Sequence, residues 1–174
     1  MPAKTLIETL YLRLMENEGW FYVERPNASS VVTLIPITRD GKLLLVEQFR
    51  RPLSRNVLEF PAGLVGDEPG LGNESFLTAA GRELEEETGY RAGKLECIAS
   101  TATSPGMANE LVHFVLAWEL EKVGLGGGTE HEDIRVHEVP LTEMADFLVR
   151  KEKAGLLVAA KLYAGLYFAK ERWG

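Results

Sequence analysis

The sequence predicts an α/β protein in which a mixed β-sheet lies between helices. Three observations carry that prediction. Short runs of β-branched and aliphatic residues recur along the chain, at Val31–Ile37, Leu43–Phe49, Lys94–Ala102, Leu111–Glu121 and Ile134–Val139. Longer stretches with helical spacing separate or follow them, at Glu74–Thr88, Leu141–Lys151 and Ala154–Arg172. No linker, repeat or low-complexity tract divides the 174 residues, which by length make one domain with a real core.

The elements follow in order. The segment Glu8–Glu24 reads either as a strand pair leading to Trp20-Phe21-Tyr22-Val23 or as a helix with Leu6, Leu10 and Leu14 on one side. Of its three adjacent aromatics, Phe21 is expected in the core. Val31–Ile37 and Leu43–Phe49 are joined through Arg39-Asp40-Gly41-Lys42, and Asp-Gly between two such runs signals a hairpin. Leu58–Phe60 is a short strand ended by Pro61. The helix Glu74–Thr88 stops at Gly89, a residue suited to a left-handed cap. Gly81 inside it costs ~1 kcal/mol relative to Ala, which either a close backbone approach or a tolerated weak position explains. Gly124–Thr129 is expected to be a mobile loop, and the last two helices close the chain.

Composition excludes several classes of function. The net charge of −7 argues against general nucleic-acid binding, which needs excess Lys and Arg to neutralise phosphates. No segment approaches the ~18 to 20 apolar residues of a membrane span. Met1–Glu18 carries Glu8, Arg13 and Glu16 within its apolar stretch and is not read as a secretory signal. The single cysteine, Cys97, leaves no intramolecular disulfide and is expected as a buried strand residue. The expected compartment is the cytoplasm. Three scattered histidines without supporting cysteines give no zinc pattern, and His113 and His137 read as core-edge or sheet-surface residues.

The chemistry concentrates in Arg82-Glu83-Leu84-Glu85-Glu86-Glu87-Thr88-Gly89-Tyr90. Glu83, Glu86 and Glu87 are three and four positions apart, so a helix crowds their carboxylates onto one face, where like charges repel. Either this is a solvated acidic face, or the carboxylates exist to hold hard divalent cations, which take oxygen ligands. Glu85 falls outside that face and serves as an internal control, expected in solvent.

The flanks decide between these. Leu58-Glu59-Phe60-Pro61-Ala62-Gly63-Leu64-Val65 lies upstream, and Glu74 stands eight residues before Arg82. Together these residues resemble the Nudix hydrolase box, G-x5-E-x7-R-E-U-x-E-E-x-G-U, where U is bulky and apolar. From Glu74 to Tyr90 the match is complete. At the front, Gly63 precedes Glu74 by eleven positions rather than six. The extra residues, within Val65–Asn73, are rich in Gly and Pro and read as a loop bulging between turn and helix without moving the ligands. Further segments are similar to the ADP-ribose pyrophosphatase branch. Pro105 lies fifteen residues past the box and is followed by Gly106-Met107-Ala108-Asn109-Glu110; Val46–Arg50 precedes the box and Glu132–His137 follows it.

The resemblance implies a Nudix-type α/β/α sandwich over residues 31–174, with residues 1–30 as an N-terminal segment that crosses to a second subunit in a homodimer. It implies hydrolysis of ADP-ribose or a related nucleoside diphosphate sugar to NMP and a sugar phosphate, with Mg²⁺ as cofactor and Mn²⁺ as a substitute. GDP-mannose, dinucleotides and nucleoside triphosphates are the rival substrates, and a non-catalytic nucleotide-sensing module is the rival class. By resemblance Glu83 and Glu87 supply carboxylate ligands, the carbonyl of Ala62 adds another, and Glu86 holds a second ion or a bound water. Arg82 and Glu74 orient the carboxylates. The general base lies in Thr129–Asp133, where Glu132 sets the best register and Glu130 is the rival; His131 is a third choice. The phosphates fall to Arg50, which could also be an ordinary surface arginine. Pro105, Gly106 and Glu110 line the pocket on the terminal-ribose side, although Glu110 could instead open the next strand facing solvent. Trp20 is a candidate for stacking on adenine.

Overall fold

The computed structural model describes residues 2–67, 70, 74–128 and 133–174. The first three strands, β1 (Lys4–Glu8), β2 (Arg13–Asn17) and β3 (Trp20–Glu24), form an antiparallel sheet of their own. The Glu18-Gly19 turn between β2 and β3 has positive φ at both residues, 50° and 84°, as tight two-residue hairpins require. Of the two readings of Glu8–Glu24, the strands are therefore correct, with one more strand than expected. Phe21 is 60% exposed, contrary to its expected place in the core. This sheet carries apolar side chains on both faces, and the described residues of the chain bury only Met15 among them.

Two four-stranded sheets make the body. In the first, β4 (Ser30–Pro36) runs parallel to β9 (Leu111–Lys122) and antiparallel to β7 (Ala62–Val65), with β8 (Tyr90–Ala102) beyond β9. In the second, β5 (Lys42–Arg50) lies between β10 (Ile134–Pro140) and β6 (Arg55–Glu59), and the two-residue β11 (Leu157–Val158) extends it parallel to β6. The hairpin expected of β4 and β5 forms only at its tip. Ile37 and Leu43 make one antiparallel bridge around Gly41, after which the strands part into different sheets. Both edges of β4 are already taken by β7 and β9, so β5 pairs elsewhere.

Helices cover both faces, and the alternation along β4 shows how. Val31 and Ile35 join Leu43, Leu45, Leu58, Phe60 and Phe114 against α2 (Met144–Lys153) and α3 (Ala160–Trp173). Val32 and Leu34 join Leu44, Val115 and Leu84 against α1 (Phe76–Thr88). A strand buried on both faces reads as a continuous apolar run, as this one does. The α/β sandwich with mixed sheets is thus correct, built on two sheets rather than one.

The helix ends differ from the spacing-based expectation for local reasons. Ser75 caps α1 by accepting the Thr78 N–H at 3.1 Å, so the helix starts after Glu74 rather than on it. Gly89, at φ 74°, ends it as expected. Residues 154–159 are not helical, because Gly155 turns the chain at φ 89° and β11 pairs with β6. Cys97 is half-buried in β8 rather than fully buried.

Candidate functional site

Helix α1 places its buried face, Ala79, Ala80 and Leu84, against β7, β4 and β8, and the acidic residues follow from that orientation. Glu87 is only 3% exposed, and its Oε2 accepts the Ala62 N–H at 3.1 Å. Glu83 reaches toward the same strand. A Cβ on Gly63 would fall on the Glu83 carboxylate, so the missing side chain at Gly63 is the recess in which Glu83 lies. Ala62 and Gly63 thus meet the two carboxylates expected to be ligands, although the Ala62 contact runs through its N–H.

Arg82 ties the acidic side chains together. Its Nη1 donates to Glu83 Oε1 at 2.9 Å and to Glu86 Oε2 at 3.4 Å. Its Nε and Nη2 donate to the two oxygens of Glu74 at 3.4 Å each, and Nη2 also to the Leu64 carbonyl at 3.3 Å. Asp67, at the start of the inserted loop, lies 3.8 Å away and adds to the negative charge. Burial works against the Arg82 charge, but Glu74, Glu83 and Glu86 outweigh it and hold the guanidinium more firmly protonated than usual. The Glu83 carboxyl is pushed up to about 7; burial is the main cause, Arg82 opposes it, and Glu86 and Asp67 add repulsion. Among the described residues no three acidic, His or Cys side chains converge as arranged into a ready metal cluster. The donor set still suits a hard cation: carboxylate oxygens, with that of Glu83 seated in a glycine recess.

Glu85 behaves as the control requires. It faces outward and accepts from Arg91 Nε and Nη2 at 3.0 Å each. Gly81 meets only the Leu95 side chain at an ordinary 3.6 Å, so no close backbone approach explains it. His113 stacks on Phe76 and bonds to Ser100, while His137 bonds to Glu47; both are the core-edge residues expected.

The remaining site residues fall in separate places. Trp20, 73% exposed, shares a hollow of about 310 Å³ with Tyr22, Pro105 and Gly106. The 104–108 turn is held to β3 by the Val23 N–H, which donates to the Met107 carbonyl at 2.8 Å. Glu110 does not simply face solvent. It accepts from Arg25 Nε at 2.8 Å. Arg50 is partly exposed, and its Nε donates to Glu59 at 2.6 Å. The sequence reading missed Arg25 and Glu59. The signal for Glu59 was a carboxylate at the end of an apolar strand just before the Pro61-Ala62-Gly63 turn.

Glu132, Glu130 and His131 lie outside the described residues. Gly124–Gly128 is packed onto the end of α1 rather than free, as Gly127 and Gly128 N–H groups donate to the Glu87 and Glu86 carbonyls at 2.9 and 3.1 Å. A Cβ on Gly126 would strike the Thr88 backbone, so glycine is what permits the approach. The stretch is the loop expected between β9 and β10, and it is anchored to α1.

Comparison with known proteins agrees with this geometry. The chain is 42% identical to the ADP-ribose pyrophosphatase of Bacillus subtilis over 136 residues, 75% of this chain and 66% of that protein. It is 38% identical to the methanol dehydrogenase activator of Bacillus methanolicus over 132 residues, 74% and 66% of the two. The match thus spans just under two thirds of each of these relatives. The GDP-mannose pyrophosphatase of Escherichia coli K12 is 30% identical over 148 residues, 78% of this chain and 73% of that one. A crystal structure described as an ADP compounds hydrolase superposes with a TM-score of 0.74 over 99% of this chain and 91% of that chain; at 24% identity it speaks for the fold. The NUDIX domain pattern itself matches residues 27–159, and since these include the whole carboxylate helix and the strand that faces it, the chain belongs to the NUDIX family.

Proposed function

We propose that this protein hydrolyses ADP-ribose or a related nucleoside diphosphate sugar, releasing NMP and a sugar phosphate, with Mg²⁺ as cofactor and Mn²⁺ able to replace it. The observation that carries the proposal is the Glu83 carboxylate, seated in the Gly63 recess and tied through Arg82 to Glu74 and Glu86. The ADP-ribose and GDP-mannose pyrophosphatases among its relatives support the substrate class.

In this reading Glu83 and Glu87, with Ala62, would hold the cation, and Glu86 would hold a second ion or a water. The bound cation would offset the charge of the diphosphate and acidify water. Arg82 and Glu74 fix the carboxylates, a role suited to a planar, permanently charged fork. Glu132 takes the proton from the attacking water as oxygen bonds to one phosphorus and the bridging P–O bond breaks. The departing phosphate leaves with that bond's electron pair. Arg50 keeps donors beyond those spent on Glu59 and would meet a phosphate. Trp20 would stack on the base, while Pro105, Gly106 and Glu110 line the far end of the substrate.

The apolar residues left uncovered on β1–β3 and on the turn between β1 and β2, including Leu6, Ile7, Leu10, Tyr11 and Phe21, support a homodimer formed through residues 1–30. Light scattering on the intact chain should give twice the monomer mass, and Leu10→Asp should lower it. Among the described residues no helix is long and apolar enough to cross a membrane, and we place the protein in the cytoplasm. A panel of ADP-ribose, GDP-mannose, diadenosine polyphosphates and dNTPs with Mg²⁺ tests the activity. Turnover confined to dNTPs or dinucleotides would replace the substrate; no turnover of any would leave a nucleotide-sensing module.

A further inference from the structure

Thr33 of β4 pairs with Ala62, and Ile37, four residues further along the extended chain, lines a hollow of about 930 Å³. At ~3.3 Å of rise per residue, the hollow begins roughly 13 Å along the chain from the carboxylate site. It opens among the turn that joins β4 to β5, strand β9, the start of α2 and the end of α3. No residue between Ala62 and Glu87 lines it. It is a second site, set apart from α1.

Two half-buried indoles, Trp118 and Trp173, line this hollow. The Arg172 guanidinium stands 5.7 Å from the centre of the Trp118 ring but does not line the hollow, so it braces the ring without closing the site. The acids of the hollow are taken, Asp40 by Lys42 and Glu119 by Lys94, each at 2.7 Å. Its cations are not. Among the described residues the side chains of Arg39 and Lys170 make no hydrogen bond or ion pair. The Leu141–Glu143 turn and the helix α2 that follows it both start without a side-chain cap, and the N-terminal end of a helix favours an anion. Glu143 and Asp146, the acids of that end, do not line the hollow. Glu119 also holds φ 55°, a costly conformation for a residue with a side chain and one that gathers at ligand sites. Gly93 makes room for it, since a Cβ there would come within 3.0 Å of the Glu119 Cβ.

We propose that this hollow binds a planar aromatic anion of the size and chemistry of a nucleoside monophosphate, its ring against Trp118 and Trp173 and its phosphate at Arg39 and Lys170. The volume lies within the ~300 to 1,000 Å³ of small-molecule sites, which are mostly apolar with a few polar groups to fix orientation. Indoles offer broad stacking faces. A guanidinium matches a phosphate through two parallel N–H donors, and a lysine beside it adds a mobile point charge. The inference goes beyond the hydrolytic reading and does not depend on it.

The test uses the intact chain carrying Trp20→Phe, which leaves Trp118 and Trp173 as the only tryptophans of the three. AMP should quench their fluorescence saturably. Adenosine and ribose 5-phosphate, each lacking one half of the chemistry, should need far higher concentrations. Arg39→Ser combined with Lys170→Ser should weaken AMP about 2- to 30-fold, the range of two exposed charge contacts, while circular dichroism stays native. Trp173→Leu should remove the saturable change seen at Trp118, and Trp173→Phe should restore most of it. Adenosine binding as tightly as AMP overturns the inference, because no anion is then recognised. Quenching that persists unchanged in both the Arg39/Lys170 and the Trp173→Leu variants comes from another site and overturns it as well, as does the absence of any quenching. Turnover of ADP-ribose is read separately. A chain inactive on every nucleoside diphosphate sugar that still binds AMP through Arg39 and Lys170 loses the functional reading and keeps this one.

Discussion

Gly63 and Glu83 are matched as recess and occupant: the space a side chain would need at Gly63 is the space the Glu83 carboxylate fills. Gly63→Ala should therefore push Glu83 aside while β7 still pairs with β4. A displacement of this size commonly costs about 10²-fold in rate. We expect a loss of that order in kcat, with weaker Mg²⁺ binding. Combining Gly63→Ala with Glu83→Gln should cost little more than Glu83→Gln alone, because both act on one carboxylate. Fully additive losses in the double variant would show that Gly63 acts some other way.

Glu83→Gln and Glu87→Gln preserve size and remove ligand charge. Each should lower turnover by orders of magnitude while circular dichroism stays native. Glu85, turned outward to Arg91, should tolerate the same change almost unnoticed. Steady-state kinetics of the three variants decide the matter, and a Glu85 variant as damaged as the Glu87 variant would refute the helical-face argument.

Loss of a general base costs ~10²- to 10⁴-fold. Glu132→Gln should lower kcat within that range and leave KM nearly unchanged, since ground-state binding does not use the base. Higher pH should recover part of the rate as hydroxide forms unaided. Glu130→Gln should do much less. A large, pH-insensitive loss at Glu130 beside a normal Glu132 variant would move the base two residues upstream.

The pH dependence of stability should follow the Glu47 cluster. Burial is the main reason the His137 pKa lies below its ordinary 6.5, with Lys151 and Arg135 adding and Glu47 opposing. Burial also pushes the Glu47 pKa up, but His137 Nε2 at 2.9 Å, Lys151 Nζ at 3.1 Å and Asn56 together hold it below 4.5. Both groups bind their protons more readily in the unfolded chain, so both favour unfolding as pH falls. In the Glu47–His137 contact the ring Nε2–H donates to the carboxylate. Melting temperature should decline on going from about pH 8 to about pH 5, first through the histidine. His137→Phe should flatten that first decline. A wild-type curve that rises on acidification through pH 6.5 would contradict the assignment.

The carboxylate helix was legible because its evidence is local. Charges at three- and four-residue spacing and a stopping glycine lie within one short stretch, whereas the Ser75 cap that sets the helix start went unread. What failed was decided by distant partners. Asp40-Gly41 does make its turn, yet nothing near it announces that β9, some 75 residues on, will pair with β4 in parallel. Phe21 looked like core because apolar sequence cannot reveal whether anything covers it. The Arg25–Glu110 pair joins residues 85 positions apart.

The glycine stretch after β9 has a mechanical consequence. The Ile134 N–H donates to the Gly127 carbonyl at 3.3 Å, and Gly127 is itself hydrogen-bonded to the end of α1. Gly127 therefore joins the start of β10 to the C-terminal end of the carboxylate helix. Any motion at the end of α1 is thereby passed to the start of β10. On the proposed reading, in which Glu132 is the base, inserting residues after Gly128 should lower kcat while leaving Mg²⁺ binding unchanged.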